Sequence, residues 1–113
     1  MLKKEPANNY KLFKYCGVWE PLKEDQSVLG GYWNTKYVEI DFTGKQIIIH
    51  IPKKCEFKIR IDDGEYTNYI EFEGDYVVNV ENDIKHTLRI YNNTYKSDVY
   101  FGGVSVPDGS TLS

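Results

Sequence analysis

The chain has 113 residues, 14 basic against 17 acidic side chains, and a net charge of -3. That length fits a single domain, two cysteines are too few for a disulfide scaffold, and no run approaches the roughly 18 apolar residues of a membrane span. The mildly acidic balance gives no basic footprint for nucleic acid, and 41% hydrophobic with 15% aromatic residues is too apolar for a disordered chain.

Residues 1–9 are polar and are expected to form a flexible lead-in to a β domain over residues 10–106. No apolar segment follows the first lysines, so no secretory signal is read there. An opening strand is expected near residues 10–19, then a loop over residues 20–31. From Tyr37 the period is two, with Val38, Ile40 and Phe42 on one side and Glu39 and Asp41 on the other. That alternation marks a half-buried strand. Thr43-Gly44-Lys45 makes a turn. Ile47, Ile49 and Ile51 then share a face opposite Ile48 and His50, and Pro52 is expected to end the strand because proline cannot donate to a ladder. Cys55, Phe57, Ile59 and Ile61 alternate with Glu56, Lys58, Arg60 and Asp62. Asp63-Gly64 is a hairpin signal, since both tolerate positive φ. A return strand over residues 66–73 places Ile70 and Phe72 inside, and Gly74-Asp75 is expected to turn the chain into a further strand at 76–80. Residues 86–91 and 99–106 close the series, the latter broken at Gly102-Gly103. Residues 107–113 are read as a linker or truncation point. Short strands with turns every 8–12 residues predict an all-β, jelly-roll-like sandwich of two antiparallel sheets.

Candidate chemistry follows from that frame. Any short chain supplies a serine, a histidine and an acid, so a triad on paper carries no weight, and no catalytic residue is assigned. His86 reads as a strand-start histidine bonded to turn backbone. His50 reads as an outer-face residue. Asp62, Asp63 and Glu65 cluster around Gly64, but a calcium loop needs more oxygens. No metal or cofactor is therefore expected, structural calcium being the minor alternative. Cys16 and Cys55 lack zinc spacing and are read as free thiols. Asn92-Asn93-Thr94 is a glycosylation sequon.

The aromatics are the distinctive feature, with 10 Tyr, 5 Phe and 2 Trp. Alternation gives the inner positions to Ile, Val and Phe, which leaves many tyrosines for rims and outer faces. Sugar rings stack on flat aromatics, and amides, carboxylates or Arg beside them bind the hydroxyls. Tyr32, Trp33 and Asn34 follow a Gly-Gly loop and form the first candidate glycan platform, with Tyr91, Tyr95, His50 and Arg60 as further candidates. For Trp33, ligand or inter-domain contact stands equally against plain packing. Trp19 is expected in the core.

Several segments in order resemble the N-terminal β-sandwich of carbohydrate esterase family 2 enzymes, which precedes a catalytic SGNH-hydrolase domain. Lys14-Tyr15-Cys16-Gly17-Val18-Trp19 resembles the family's opening strand. Tyr32-Trp33 and Tyr37-Val38-Glu39-Ile40-Asp41-Phe42-Thr43-Gly44 resemble its tryptophan and "FTG" strand end. Ile59-Arg60-Ile61-Asp62-Asp63-Gly64 resembles its hairpin, Lys85-His86-Thr87-Leu88-Arg89-Ile90 its histidine strand, and Phe101-Gly102-Gly103-Val104 its last strand. The resemblance covers residues 13–106. Where the family carries a Lys-Arg-Thr-Glu run, this chain has Asn92-Asn93-Thr94-Tyr95. The Gly-Asp-Ser block and Asp-x-x-His of the hydrolase domain are not found in these residues. The resemblance implies a non-catalytic accessory module of a secreted or cell-surface esterase. Its partners would be a glycan and the downstream catalytic domain of the same polypeptide, with no nucleic acid or membrane. The alternative is a purely structural domain that docks on that hydrolase domain.

Overall fold

A computed structural model describes residues 2–67, 70–82, 84–92 and 98–112, with the side chains of residues 2, 3, 18 and 31–36 outside the description. Eight strands occupy it: β1 (Leu2–Glu5), β2 (Phe13–Pro21), β3 (Leu29–Phe42), β4 (Gln46–Ile61), β5 (Ile70–Asn79), β6 (His86–Asn92), β7 (Val99–Phe101) and β8 (Val104–Pro107). Every pairing is antiparallel. The ladder runs β1-β8-β4-β6-β3-β2, with β5 added to β4 and β7 to β3. It is one connected network because the two longest strands change partners along their length. β3 pairs β7 over Leu29–Gly31 and β6 over Tyr37–Phe42, while β4 pairs β8 at Ile48 and Ile49 and β6 over Phe57–Ile61. The result is two antiparallel layers, one curled into a half-barrel. The expected all-β antiparallel class is therefore observed.

The core follows the period of two. Val38, Ile40, Phe42, Ile47, Ile49, Ile51, Phe57, Leu88 and Ile90 are all fully buried. Phe13 and Phe101 meet edge to face at 5.2 Å between centroids, a geometry that suits the ring quadrupoles. Trp19 lies half-buried at the margin of this core, its indole N–H donating to the Cys16 carbonyl at 3.1 Å. Cys55 is buried and Cys16 half-buried, both as free thiols, and burial pushes the Cys55 thiol pKa up.

Five expectations are corrected. Residues Leu2–Glu5, expected in a flexible lead-in, form β1 and pair with β8 from Leu2↔Pro107 to Glu5↔Val104. Pro52 does not end its strand, and Gly74-Asp75 does not turn the chain. Ile51 pairs Gly74 and Cys55 pairs Phe72, so Pro52, Lys53 and Lys54 bulge opposite Glu73 while both strands continue. A bulge takes residues out of the ladder, which is where a strand tolerates proline, and Gly74 supplies φ +121° there. The hairpin's positive φ falls on Asp62 (52°), not on Gly64, and the turn closes through Gly64 N–H to the Ile61 carbonyl at 3.0 Å. The return strand begins at Ile70, leaving Tyr66 in the loop before it.

Residues 107–112 fold back over the β3–β4 turn. Thr43 N–H donates to the Thr111 carbonyl at 2.9 Å, Phe42 bridges Leu112, and Leu112 packs on the core.

Candidate functional site on the outer face of β4, β6 and β3

The side chains that alternate away from the core on β3, β6 and β4 stand in three cross-strand rows. Register pairs Tyr37 with Tyr91 and Tyr91 with Lys58, Glu39 with Arg89 and Arg89 with Arg60, then Asp41 with Thr87. Asp62 extends the last row, its Oδ1 accepting from Thr87 N–H at 2.8 Å. Neighbouring strands lie about 4.8 Å apart and successive rows roughly 7 Å apart. One face thus carries an aromatic row, a charged row and a row of acids with a hydroxyl.

Rings and cations interlock in the aromatic row. Tyr66 from the preceding loop meets Tyr91 edge-on at 4.9 Å, and Tyr37 meets Tyr91 at 5.3 Å. Lys58 Nζ lies 4.6 Å from the Tyr66 centroid, the Arg60 guanidinium 5.1 Å from the same ring, and the Arg89 guanidinium 4.8 Å from that of Tyr37. Such cation–π contacts hold the cations against the rings. Arg89 Nε donates to Glu39 Oε1 at 2.8 Å, and Arg60 Nε to the Gly64 carbonyl at 2.9 Å. The Tyr91 hydroxyl and the Glu39 carboxylate hold Arg89 protonated well beyond the physiological range. Lys14 from β2 sits 3.8 Å from Glu39 and 3.7 Å from Asp41, while Thr87 Oγ1 donates to Asp41 at 2.7 Å. Beside these rows a cavity of about 270 Å³ opens, lined by Glu39, Arg60, Asp62, Asp63, Thr87 and Arg89.

His86 closes one end. Its Nδ1 lies 2.7 Å from Asp62 Oδ2, and its Nε2 faces the Asn82 carbonyl at 3.1 Å and Asn82 Oδ1 at 2.9 Å. The Asp62 bond is the main cause of a raised His86 pKa, acting against burial. Burial opposes ionisation of Asp62, yet the bonds from His86 and the Thr87 N–H outweigh it and hold its carboxyl below the usual range. Asp62, Asp63 and Glu65 gather no metal-binding set. Among the described residues no group of three or more His, Cys, Asp or Glu converges to hold an ion.

The sequence-predicted ligand residues are divided. Arg60 and Tyr91 come together on this face. His50 does not join them, and lines a separate cavity of about 300 Å³ with Asp75 and Gly102. Tyr32, Trp33 and Asn34 lie on β3, but their side chains are outside the described residues, and Tyr95 is outside them altogether. Tyr37, Glu39 and Arg89 were not singled out from sequence. Alternation marks them as outward, but their meeting with Arg60 depends on which strands become neighbours. Asn92 of the sequon is 7% exposed on β6, so its amide is not open to modification in the folded chain.

His50 itself has a triad-like setting. Its Nε2 lies 2.6 Å from Ser105 Oγ and its Nδ1 2.7 Å from Asp75 Oδ1. The order is inverted relative to a nucleophilic site, which needs its serine at the surface and its carboxylate behind. Here Ser105 is 3% exposed within β8, whereas the Asp75 side chain is 70% exposed. The arrangement ties β8, β4 and β5 together.

No family model and no curated protein sequence matches the chain. Solved structures do share its fold. A family two carbohydrate esterase from Cellvibrio japonicus superposes with a TM-score of 0.71 at 13% identity, over 94% of this chain and 33% of its own. A carbohydrate esterase whose active site displays divergent catalytic and non-catalytic binding functions superposes at 0.56 and 15% identity, over 96% of this chain and 32% of its own. The salicylyl-acyltransferase SsfX3 from a tetracycline biosynthetic pathway superposes at 0.68 and 9% identity, over 98% and 41%. The chain spans a third to two fifths of the length of these proteins. At such identities the likeness is one of fold, and the relation to family 2 esterases expected from the sequence is supported at that level.

Proposed function

We propose that this chain is a jelly-roll-like, non-catalytic accessory module of a larger carbohydrate-active esterase, and that it holds a glycan on the outer face of β4, β6 and β3. The carrying observation is that face itself: a tyrosine row beside a row of one carboxylate and two neighbouring guanidinium groups, next to a polar cavity. Arg60, Arg89, Tyr66 and Tyr91 form its centre, and Tyr32, Trp33, Asn34 and Tyr95 are the further contacts suggested by the aromatic pattern. His50 has no part in it. The fold shared with two carbohydrate esterases supports the esterase context, and the inverted order of Ser105, His50 and Asp75 supports a non-catalytic role. The parent enzyme would be secreted or displayed at the cell surface, where polysaccharides are met.

A glycan array followed by titration calorimetry of the chain tests this reading. Saturable binding to a polysaccharide, weakened by Tyr91→Ala and by Trp33→Ala, is expected. Absence of binding to every glycan would remove the binding role.

One observation favours a second reading. Cations already lie against the rings of Tyr37, Tyr66 and Tyr91, so a sugar stacked there would have to displace them. On that reading the face docks on a downstream SGNH-type hydrolase domain and has no ligand. Comparing hydrogen exchange of this chain alone with that of the longer native polypeptide separates the two, because only docking protects β3 and β6 in the longer chain without added glycan.

A further inference from the structure

Arg60 and Arg89 are direct cross-strand partners. Like charges directly opposite one another destabilise a sheet, so this pair needs local compensation. Each guanidinium is anchored through its Nε, Arg89 to Glu39 and Arg60 to the Gly64 carbonyl, and each lies against a tyrosine ring. A guanidinium carries five N–H donors in a fixed fork, so the Nε bond leaves both groups with further donors along the cavity they line. The same cavity carries the carboxylates of Glu39, Asp62 and Asp63 and the hydroxyl of Thr87. Its acids outnumber its guanidiniums three to two, which disfavours an anionic guest. A sugar hydroxyl donates and accepts at once. Adjacent guanidinium and carboxylate groups match a pair of neighbouring hydroxyls, and a volume of about 270 Å³ admits one sugar residue.

We infer that the ligand of this face is an uncharged, diol-bearing sugar unit, held edge-on between Arg60, Arg89, Glu39 and the Asp62–Asp63 turn. The tyrosine rings serve to fix the arginines rather than to stack on the sugar. This rests on the glycan-binding reading above and specifies its ligand class and mode of capture.

The test is a calorimetric titration of the intact chain with neutral cello-, manno- and xylo-oligosaccharides and with oligogalacturonate, each at low and high ionic strength. A neutral oligosaccharide should bind with an affinity that salt leaves nearly unchanged, whereas binding of a charged ligand is screened. Arg89→Met and Glu39→Gln should each weaken it about tenfold or more. Arg89→Lys should restore little, because a lysine cannot reproduce the fork. Lys23→Ala, a charge removed elsewhere, should leave affinity unchanged, and circular dichroism melts show whether each variant is folded. Binding of oligogalacturonate alone, falling with salt and abolished by Arg89→Met, overturns the ligand class while preserving the glycan-binding reading. Neutral binding indifferent to folded Arg89→Met and Glu39→Gln overturns the location. If no saccharide binds and a broad array is also silent, the glycan-binding reading itself fails.

Discussion

At His86 both imidazole nitrogens face acceptors, Asp62 on one side and Asn82 on the other. The imidazolium, which donates from both nitrogens, is the form this pocket favours. Because the folded pKa of His86 is raised, its contribution to stability is complete below the unfolded value of about 6.5 and is lost as pH rises through the folded value. Asp62 acts at the other end. Its folded pKa is lowered, so its contribution is present above the unfolded carboxylate value and lost as pH falls through the folded one. Thermal melts of the wild type and Asp62→Asn should therefore differ most near about pH 5.5, and the difference should narrow as pH rises through the folded His86 value but not vanish, because the Thr87 N–H still donates to Asp62; a difference that grows above neutrality contradicts the pairing. Gly103 is a second residue-scale constraint. Its φ is +98°, and a methyl group there would overlap the Glu5 carbonyl. It also sits where Gly102 N–H donates to the His50 carbonyl at 2.8 Å and His50 N–H to the Gly103 carbonyl at 2.9 Å. Gly103→Ala should cost about 2 kcal/mol or more, read by chemical denaturation, since strain and backbone overlap combine. The motif Gly102-Gly103 was visible in sequence as a strand break. The carbonyl that demands the second glycine was not, because it comes from the far end of the chain.

At the scale of elements, alternation located the inner faces of β4 and β6 and the second half of β3, because burial there follows the period of two except at Ile48, which is buried on the other face of β4. It could not foresee the bulge at Pro52–Lys54 or the partner change midway along β3. Those depend on where other strands lie, and a proline or glycine pair carries the same local signal for a bulge as for a turn. The same limit applies to the candidate site. Arg60 and Tyr91 could be placed on an outer face, but the row Glu39–Arg89–Arg60 exists only once β3, β6 and β4 are neighbours. Two changes test the elements. Phe57 is fully buried where β4 meets both β5 and β6, and its ring meets Tyr76 edge-on at 5.7 Å. Phe57→Ala should destabilise by about 3–5 kcal/mol in a denaturant titration. Removing residues 1–5 strips β1 from β8 and leaves Val104–Val106 at a bare edge. A loss of about 1–3 kcal/mol is expected, and an unchanged midpoint would show that β1 contributes nothing.

For the whole molecule, alternation and turn spacing led to the all-β class, although β3 and β4 run to 14 and 16 residues, and the fold shared with carbohydrate esterases agrees with the segments quoted from sequence. The tyrosines turned out to have a more particular place than surface platforms. Tyr37, Tyr66 and Tyr91 are packed against Arg89, Arg60 and Lys58, so aromatic count alone would have overstated the area open for stacking. The chain spans about a third of the length of its esterase neighbours, and the proposed function rests on what this face holds. The most direct measurement is an amide chemical-shift map of the chain titrated with the glycan that an array selects. The account predicts progressive shifts centred on Glu39, Arg60, the Asp62–Asp63 turn, Tyr66, Thr87, Arg89 and Tyr91. Shifts centred instead on His50, Asp75 and Gly102, or none at saturating glycan, would contradict it.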